Sequence, residues 1–213
     1  MYKSLFTASL LALAVAAPIA QAHQAGDIIV RAGAITVDPH EDSSDIWVGA
    51  LGTDVAGTKA TLDSDTQLGL NFAYMITNNI GIELLAATPF EHDVNIDGAG
   101  KVGTVKHLPP TLSVNYHWDT GSAFKPYAGI GLNWTSFWDE STTGALDGND
   151  LDLEHSFGLA LQAGADWWLN DKSALRATVR WIDIDADVKL NGEKIGEVEI
   201  DPFAIQAAYV FKF

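Results

Sequence analysis

An enzyme working at a surface would need a nucleophile, a base and a group to orient them, and this chain offers few such residues. Ser141, His155 and Asp139 come nearest, yet nothing links them beyond proximity in sequence. Neither a Gly-x-Ser-x-Gly elbow nor a His-Glu-x-x-His pair is present, so acyl-transfer and zinc-protease chemistry have no motif to rest on. The absence of cysteine removes thiol nucleophiles, thiolate metal sites and disulfides together. His40, His92, His107 and His155 fall at or near connecting segments with spacings that fit no metal motif. Asp147-Gly148-Asn149-Asp150 misses the EF-hand pattern because its glycine comes too early. These residues imply a non-enzymatic chain with no cofactor and no metal site.

Other charges have a pattern. Arg31, Glu83, Asp166, Arg176 and Arg180 each stand within an alternating stretch, on the face opposite the large apolar side chains. Unpaired charges in a confined interior would be expensive, so both signs together predict an ion-paired plug. Such a plug would be purely structural or would also select what passes. A second acidic set, Glu41, Asp42 and Asp45 with Asp147, Asp150, Asp152 and Glu154, falls between the alternating stretches. It reads first as a solvated rim and second as a site for divalent cations bridging to lipopolysaccharide phosphates. The net charge of −16 over 213 residues leaves no basic face for nucleic acid.

The elements that must carry these charges are strands. Eight are expected, at about Asp27–Asp38, Thr66–Ile76, Ile80–Phe90, Pro110–Trp118, Pro126–Trp138, Leu153–Trp168, Ala174–Asp187 and Val198–Phe213. The second, fourth and sixth connections are short: Thr77-Asn78-Asn79, Asp119–Lys125 and Leu169–Ser173. The odd connections, around Pro39–Asp65, Glu91–Pro109, Asp139–Asp152 and Val188–Glu197, are long and polar. Short periplasmic turns alternating with long outside loops mark an outer-membrane barrel. The fold expected is an all-β, eight-stranded antiparallel transmembrane β-barrel.

Strand faces decide between that barrel and a soluble one. On the second strand Leu68, Leu70, Phe72, Tyr74 and Ile76 oppose Gln67, Gly69, Asn71 and Ala73. Were the apolar face inside, the water surface would be Gly, Ala, Ser, Asn and Gln, where soluble surfaces carry Lys and Glu. Small residues instead suit a lumen only wide enough for side chains to fill. Aromatics near the short turns (Trp118, Tyr127, Trp167, Trp168, Phe211, Phe213) and toward the long loops (Phe90, Trp134, Phe137, Trp138, Phe157, Trp181, Phe203) are expected to form two girdles. The start of the chain reads as a cleaved secretory signal, Met1–Ala22, with Lys3, an apolar run from Leu5 to Ala17 and Ala20-Gln21-Ala22. Its apolar run is shorter than a spanning helix needs. Residues 23–213 are then the barrel.

Several stretches now resemble the OmpW family of outer-membrane proteins. They are Ala25-Gly26-Asp27-Ile28-Ile29-Val30-Arg31-Ala32-Gly33, Asp65-Thr66-Gln67-Leu68-Gly69-Leu70, Leu108-Pro109-Pro110-Thr111-Leu112 and Lys125 through Asn133. Ser156 through Ala160, and Ile200-Asp201-Pro202-Phe203 through Phe211-Lys212-Phe213, fit as well. Ala86-Ala87-Thr88-Pro89-Phe90 is most similar to the OprG branch. The resemblance implies a narrow, largely apolar channel for small hydrophobic molecules and, in that branch, small amino acids. It also implies closure toward the periplasm and sideways exit of cargo into the membrane. Pro89, Pro109 and Pro110 are the candidates for that lateral gate; without the resemblance they read as strand ends at the rim. The closing aromatics Tyr209, Phe211 and Phe213 resemble the signal read by the barrel-assembly machinery. Outer-membrane lipids, lipopolysaccharide and small hydrophobic solutes are the other partners implied. The alternative is a structural or receptor barrel whose acidic loops bind cations, lipopolysaccharide or proteins.

Overall fold

Alternating sequence becomes wall in the computed structural model, which describes residues 23–40, 42–43, 60–96 and 100–213. The expected signal, Met1–Ala22, and the loop acids Glu41 and Asp45 lie outside the described residues. Eight strands close on themselves: β1 (Ile28–Asp38), β2 (Asp65–Met75), β3 (Ile80–Ala87), β4 (Thr111–His117), β5 (Phe124–Thr142), β6 (Ser156–Asn170), β7 (Ser173–Ile182) and β8 (Phe203–Lys212). Each pairs antiparallel with its neighbours, and β8 returns to β1 from Lys212↔Ile29 to Phe203↔Asp38. Closure leaves no open edge, which the hydrocarbon of a bilayer would not tolerate.

The alternation sets the faces as expected. Leu68, Phe72, Tyr74, Leu112, Val114, Ile130, Leu132, Leu159, Leu161, Leu175, Val179 and Ile205 point outward, while Arg31, Asn71, Glu83, Asn115, Asp166, Arg176 and Gln206 are buried inside. Phe157 pairs with Trp134 and, ten residues lower on both strands, Trp167 pairs with Phe124. Ten residues at ~3.3 Å and a tilt near ~40° span about 25 Å, the height of an outer-membrane apolar band. These four aromatics are outward and belong to the two girdles.

Four aromatics assigned to the girdles point inward instead: Phe90, Tyr127, Phe137 and Trp168. For Tyr127, Phe137 and Trp168 the reason is parity, since each is an odd number of residues from an outward neighbour. Tyr127 fits inside because its partner is Gly164, where a β-carbon would stand 2.7 Å from the Tyr127 ring. Phe90 is a different case. Counted from Leu84 it should face outward, but Thr88 and Pro89 are both exposed and the alternation slips by one residue.

The long connections are not loops throughout. Phe90–Ile96 and Gly100–Leu108 form a hairpin that continues the wall above β3 and β4 and pairs with the upper half of β5. Ala60–Leu62 pairs with that hairpin's first strand. Leu151–Leu153, Asp185–Leu190, Glu193–Glu199 and Asp42–Ser43 build a second, four-stranded sheet above the rim. The expected third, sixth, seventh and eighth strands each therefore run together two elements. The hairpin Asp185–Leu190/Glu193–Glu199 turns on Asn191-Gly192, both at positive φ. Asn-Gly between alternating segments is a strong two-residue hairpin signal, and it stood in a stretch read as polar loop. These sheets cap an apolar core of Val102, Val105, Phe137, Leu153, Ile182 and Ile184 with their neighbours, which reaches down into the upper lumen.

Candidate functional site

The five charges expected to meet in the lumen do so, delivered by four strands. Arg31 comes from β1, Glu83 from β3, Asp166 from β6, and Arg176 and Arg180 from one face of β7. Glu83 Oε2 accepts from Arg31 at 2.6 Å and from Arg176 at 2.9 Å, and its Oε1 lies 3.4 Å from Arg180. Arg176 closes a fork on Asp166, with Nε to Oδ1 at 2.6 Å and Nη2 to Oδ2 at 2.7 Å. Its guanidinium also lies 4.0 Å above the Tyr127 ring. Neutral amides extend the network: Asn71 and Gln162 donate to Glu83, Arg180 donates to Gln162, and Gln206 donates to Asn71. Three cations and two anions leave the set one positive charge in excess. All five are buried.

Immediately above this network the wall changes character. The β3–β4 ladder ends at Leu85↔Thr111, and Glu83 sits two residues below Leu85 on the same inward face. One pleat, ~7 Å, separates the network from the last ladder pair. Pairing resumes at Phe90↔His107 with the register shifted by one residue. The interval holds Ala86 to Pro89 on one side and Leu108 to Pro110 on the other. Thr88 is held toward β2, donating from its amide to Leu68 at 2.9 Å. Pro110 accepts from the Trp134 amide of β5 at 3.1 Å, so by alternation Pro109 turns its hydrogen-less nitrogen toward β3. All three prolines thus border one interruption between the third and fourth strands.

Just above that interruption, on the lumen side, sits a row of rings. Phe90, His107 and Phe137 are cross-strand neighbours, with centroids 5.4 and 5.8 Å apart and near-parallel planes. His92 Nδ1 lies 2.6 Å from the Asp63 carbonyl and its Nε2 is 2.8 Å from His107 Nε2. A carbonyl only accepts, so His92 donates from Nδ1; with its Nε2 as acceptor, His107 carries its hydrogen on Nε2. His107 Nδ1 is left bare in an apolar setting. Burial, with His92 beside it, pushes the His107 pKa down to about 3. An almost wholly apolar cavity between His92, His107, Phe137, Val37, Ile184 and Ile200 is pinched to about 10 Å³, room for about one water. Below it Ile35, Val37, Leu85, Phe90 and Ala204 form a further apolar cluster beside the break.

The remaining sequence candidates scatter. Ser141 bonds Thr104, Asp139 pairs with Lys106, and His155 lies against Trp134, so each has a different neighbour. His40 packs on Phe203. Glu154 pairs with Lys189. Tyr209, Phe211 and Phe213 face outward at the periplasmic end of β8. Two groups that the sequence reading did not single out converge: His23, His117 and Asp166 inside the barrel, and Asp183, Asp185 and Asp201 at the rim. His23, His117 and Asp166 come from three separate segments, and Asp201 is distant in sequence from the neighbours Asp183 and Asp185, so spacing carried little signal for either group.

A comparison with protein families matches the model of the OmpW family over residues 24–213. Outer membrane protein W of Vibrio cholerae is 43% identical over 204 residues, covering 90% of this chain and 91% of that one. Outer membrane protein AlkL of Ectopseudomonas oleovorans is 30% identical over 180 residues, covering 80% and 76%. The crystal structure of OprG from Pseudomonas aeruginosa superposes with a TM-score of 0.82 at 41% identity, covering 91% and 98%.

Proposed function

The chain belongs to the OmpW family of outer-membrane proteins, and on that premise we propose that it is a channel through which small hydrophobic molecules reach the membrane interior by leaving the barrel sideways. It is a non-enzymatic barrel of the bacterial outer membrane, set among its lipids and lipopolysaccharide. We take Met1–Ala22 as the export signal and residues 23–213 as the barrel.

The observation that carries this reading is vertical order. An apolar path descends from the outer sheets to Leu85 and Phe90, and directly beneath it lies the charged network of Glu83. An apolar solute gains nothing by displacing buried ion pairs, whose separation would leave charges unpaired in a dry lumen. The network therefore acts as a plug. Just above that network the β3–β4 ladder is interrupted, so the wall offers the lower barrier. Phe90 and the ring row stand at the turn in the path, and the pinched cavity is the closed form of the route. Thermal widening of the unpaired stretch would open it without breaking a ladder.

The test is Pro89→Ala. Restoring an amide hydrogen and free φ lets Ala86 to residue 89 pair more fully with β4. Uptake of an apolar fluorescent solute into liposomes, at matched amounts of folded protein, should fall severalfold. Unchanged uptake would show that cargo does not pass at Pro89.

A further inference from the structure

At the opposite end of the lumen from the gate, His23, His117 and Asp166 stand together with their nitrogens unused. Both ring nitrogens of His23 and Nδ1 of His117 are buried without a hydrogen-bond partner. His23 Nε2 is 3.6 Å and His117 Nδ1 3.9 Å from Asp166 Oδ2, and the three ligand atoms lie within 4.8 Å of one another. Buried imidazole nitrogens without partners are costly. Two aimed at one carboxylate oxygen form a donor set that lacks its acceptor.

We propose that these three side chains bind one divalent transition-metal ion of the zinc class at the periplasmic mouth of the barrel. Two imidazoles and a carboxylate are a common three-ligand set for tetrahedral zinc. Bonds near ~2.0–2.1 Å place tetrahedral ligand atoms ~3.3–3.5 Å apart, so the observed separations need the rings to close by tenths of an ångström toward Asp166. The Arg176 fork already occupies one lone pair on each oxygen of Asp166, and the ion takes the remaining pair on Oδ2. With the lumen charges already positive by one, hard cations that rely on several carboxylates are disfavoured and imidazole-seeking metals preferred. A fourth position is open. A cavity of about 140 Å³, lined by Asn78, Asn79, Trp118, Asp119 and Lys125, reaches His23 and His117 and can supply water.

The fold positions the ligands from three directions. His117 ends β4 and Asp166 lies on β6. His23 is carried by the segment before β1, which the Ala25 amide ties to Asn78 at 2.9 Å and the Gly26 amide ties to Met75 at 2.8 Å. Metal binding would staple that segment across the mouth and brace the Asp166–Arg176 end of the plug.

The experiment uses the folded residues 23–213 chain in detergent, without a polyhistidine tag and stripped with chelator, titrated with cobalt(II) and then zinc. One equivalent of cobalt should give tetrahedral absorption bands that zinc displaces. His23→Ala and His117→Ala should each weaken binding by about tenfold or more, while His155→Ala at the rim should leave it unchanged. As a check free of folding effects, zinc added to the wild-type chain should shift the imidazole resonances of His23 and His117. No tetrahedral bands, equal binding in the His117→Ala protein, or imidazole shifts confined to other histidines would overturn the assignment.

Discussion

Glu83 is the residue on which the lumen's charge balance turns, since all three buried arginines reach it. Glu83→Gln leaves Arg31 and Arg180 without a carboxylate partner among the described residues, and removing one partner of a buried ion pair destabilises by about 3–5 kcal/mol. Urea unfolding in lipid vesicles should record a loss of that size. A second substitution, Arg31→Met, should return part of it, because the uncompensated cation goes too. His107 supplies a pH-dependent effect above the outer girdle. Its folded pKa is pushed down to about 3, so below its ordinary value near ~6.5 the unfolded chain binds a proton that the folded chain refuses. Stability contributed by neutral His107 is full above that value and falls as pH drops toward the folded pKa, by up to about 1.4 kcal/mol per unit. His107→Gln should flatten that part of the profile, measured as unfolding midpoint against pH.

At the scale of elements, the third strand is the informative one. Its sequence runs on from Ile80 to Ile96 with little to mark a stop except Thr88-Pro89, yet it is two strands with a register slip between them. That slip turns Phe90 inward and places its ring in the apolar cluster with Leu85, at the turn of the proposed path. The last strand behaves more simply. Tyr209, Phe211 and Phe213 alternate outward along the seam where β8 meets β1, and the Phe213 amide bonds the Ile28 carbonyl at 2.9 Å. Deleting Phe213 removes one end bond and one exposed ring, a small loss to the folded wall. If that ring is instead read during insertion, the deletion should lower the amount of folded protein in outer membranes while uptake per folded molecule stays constant. Equal amounts of folded protein would refute the assembly role.

For the whole molecule, the layers show how the proposed passage could exist in a barrel of eight strands. Its lumen is filled, with apolar side chains outward of Leu85, ion pairs around Glu83, and a small apolar cluster including Ile29, Met75 and Trp168 at the periplasmic end. A water-filled pore has no room. The route proposed above is the one this filling leaves: it begins between the outer sheets and ends at the side.

The number of barrel strands, their direction and the sign of each face were legible in the sequence because a bilayer demands them locally. Every spanning strand must alternate, and Leu68 to Ile76 or Leu112 to Trp118 can satisfy lipid in only one way. Inward charges were legible for the same reason of parity. Their partners were not: Glu83 and Arg176 meet across the lumen from 93 residues apart, and only closure of the sheet decides that distance. The outer sheets escaped because strands above the rim are solvated on one side and need no lipid-facing stripe, leaving dipeptides such as Asn191-Gly192 and Asp97-Gly98 as the local marks. The ladder break was half legible, since Pro89, Pro109 and Pro110 stood in the sequence, but its register slip was not; the ring row and the His23–His117–Asp166 cluster belong wholly to tertiary structure. Each joins segments whose register is set by pairing with a third strand, and register is a property of the closed barrel rather than of any stretch within it.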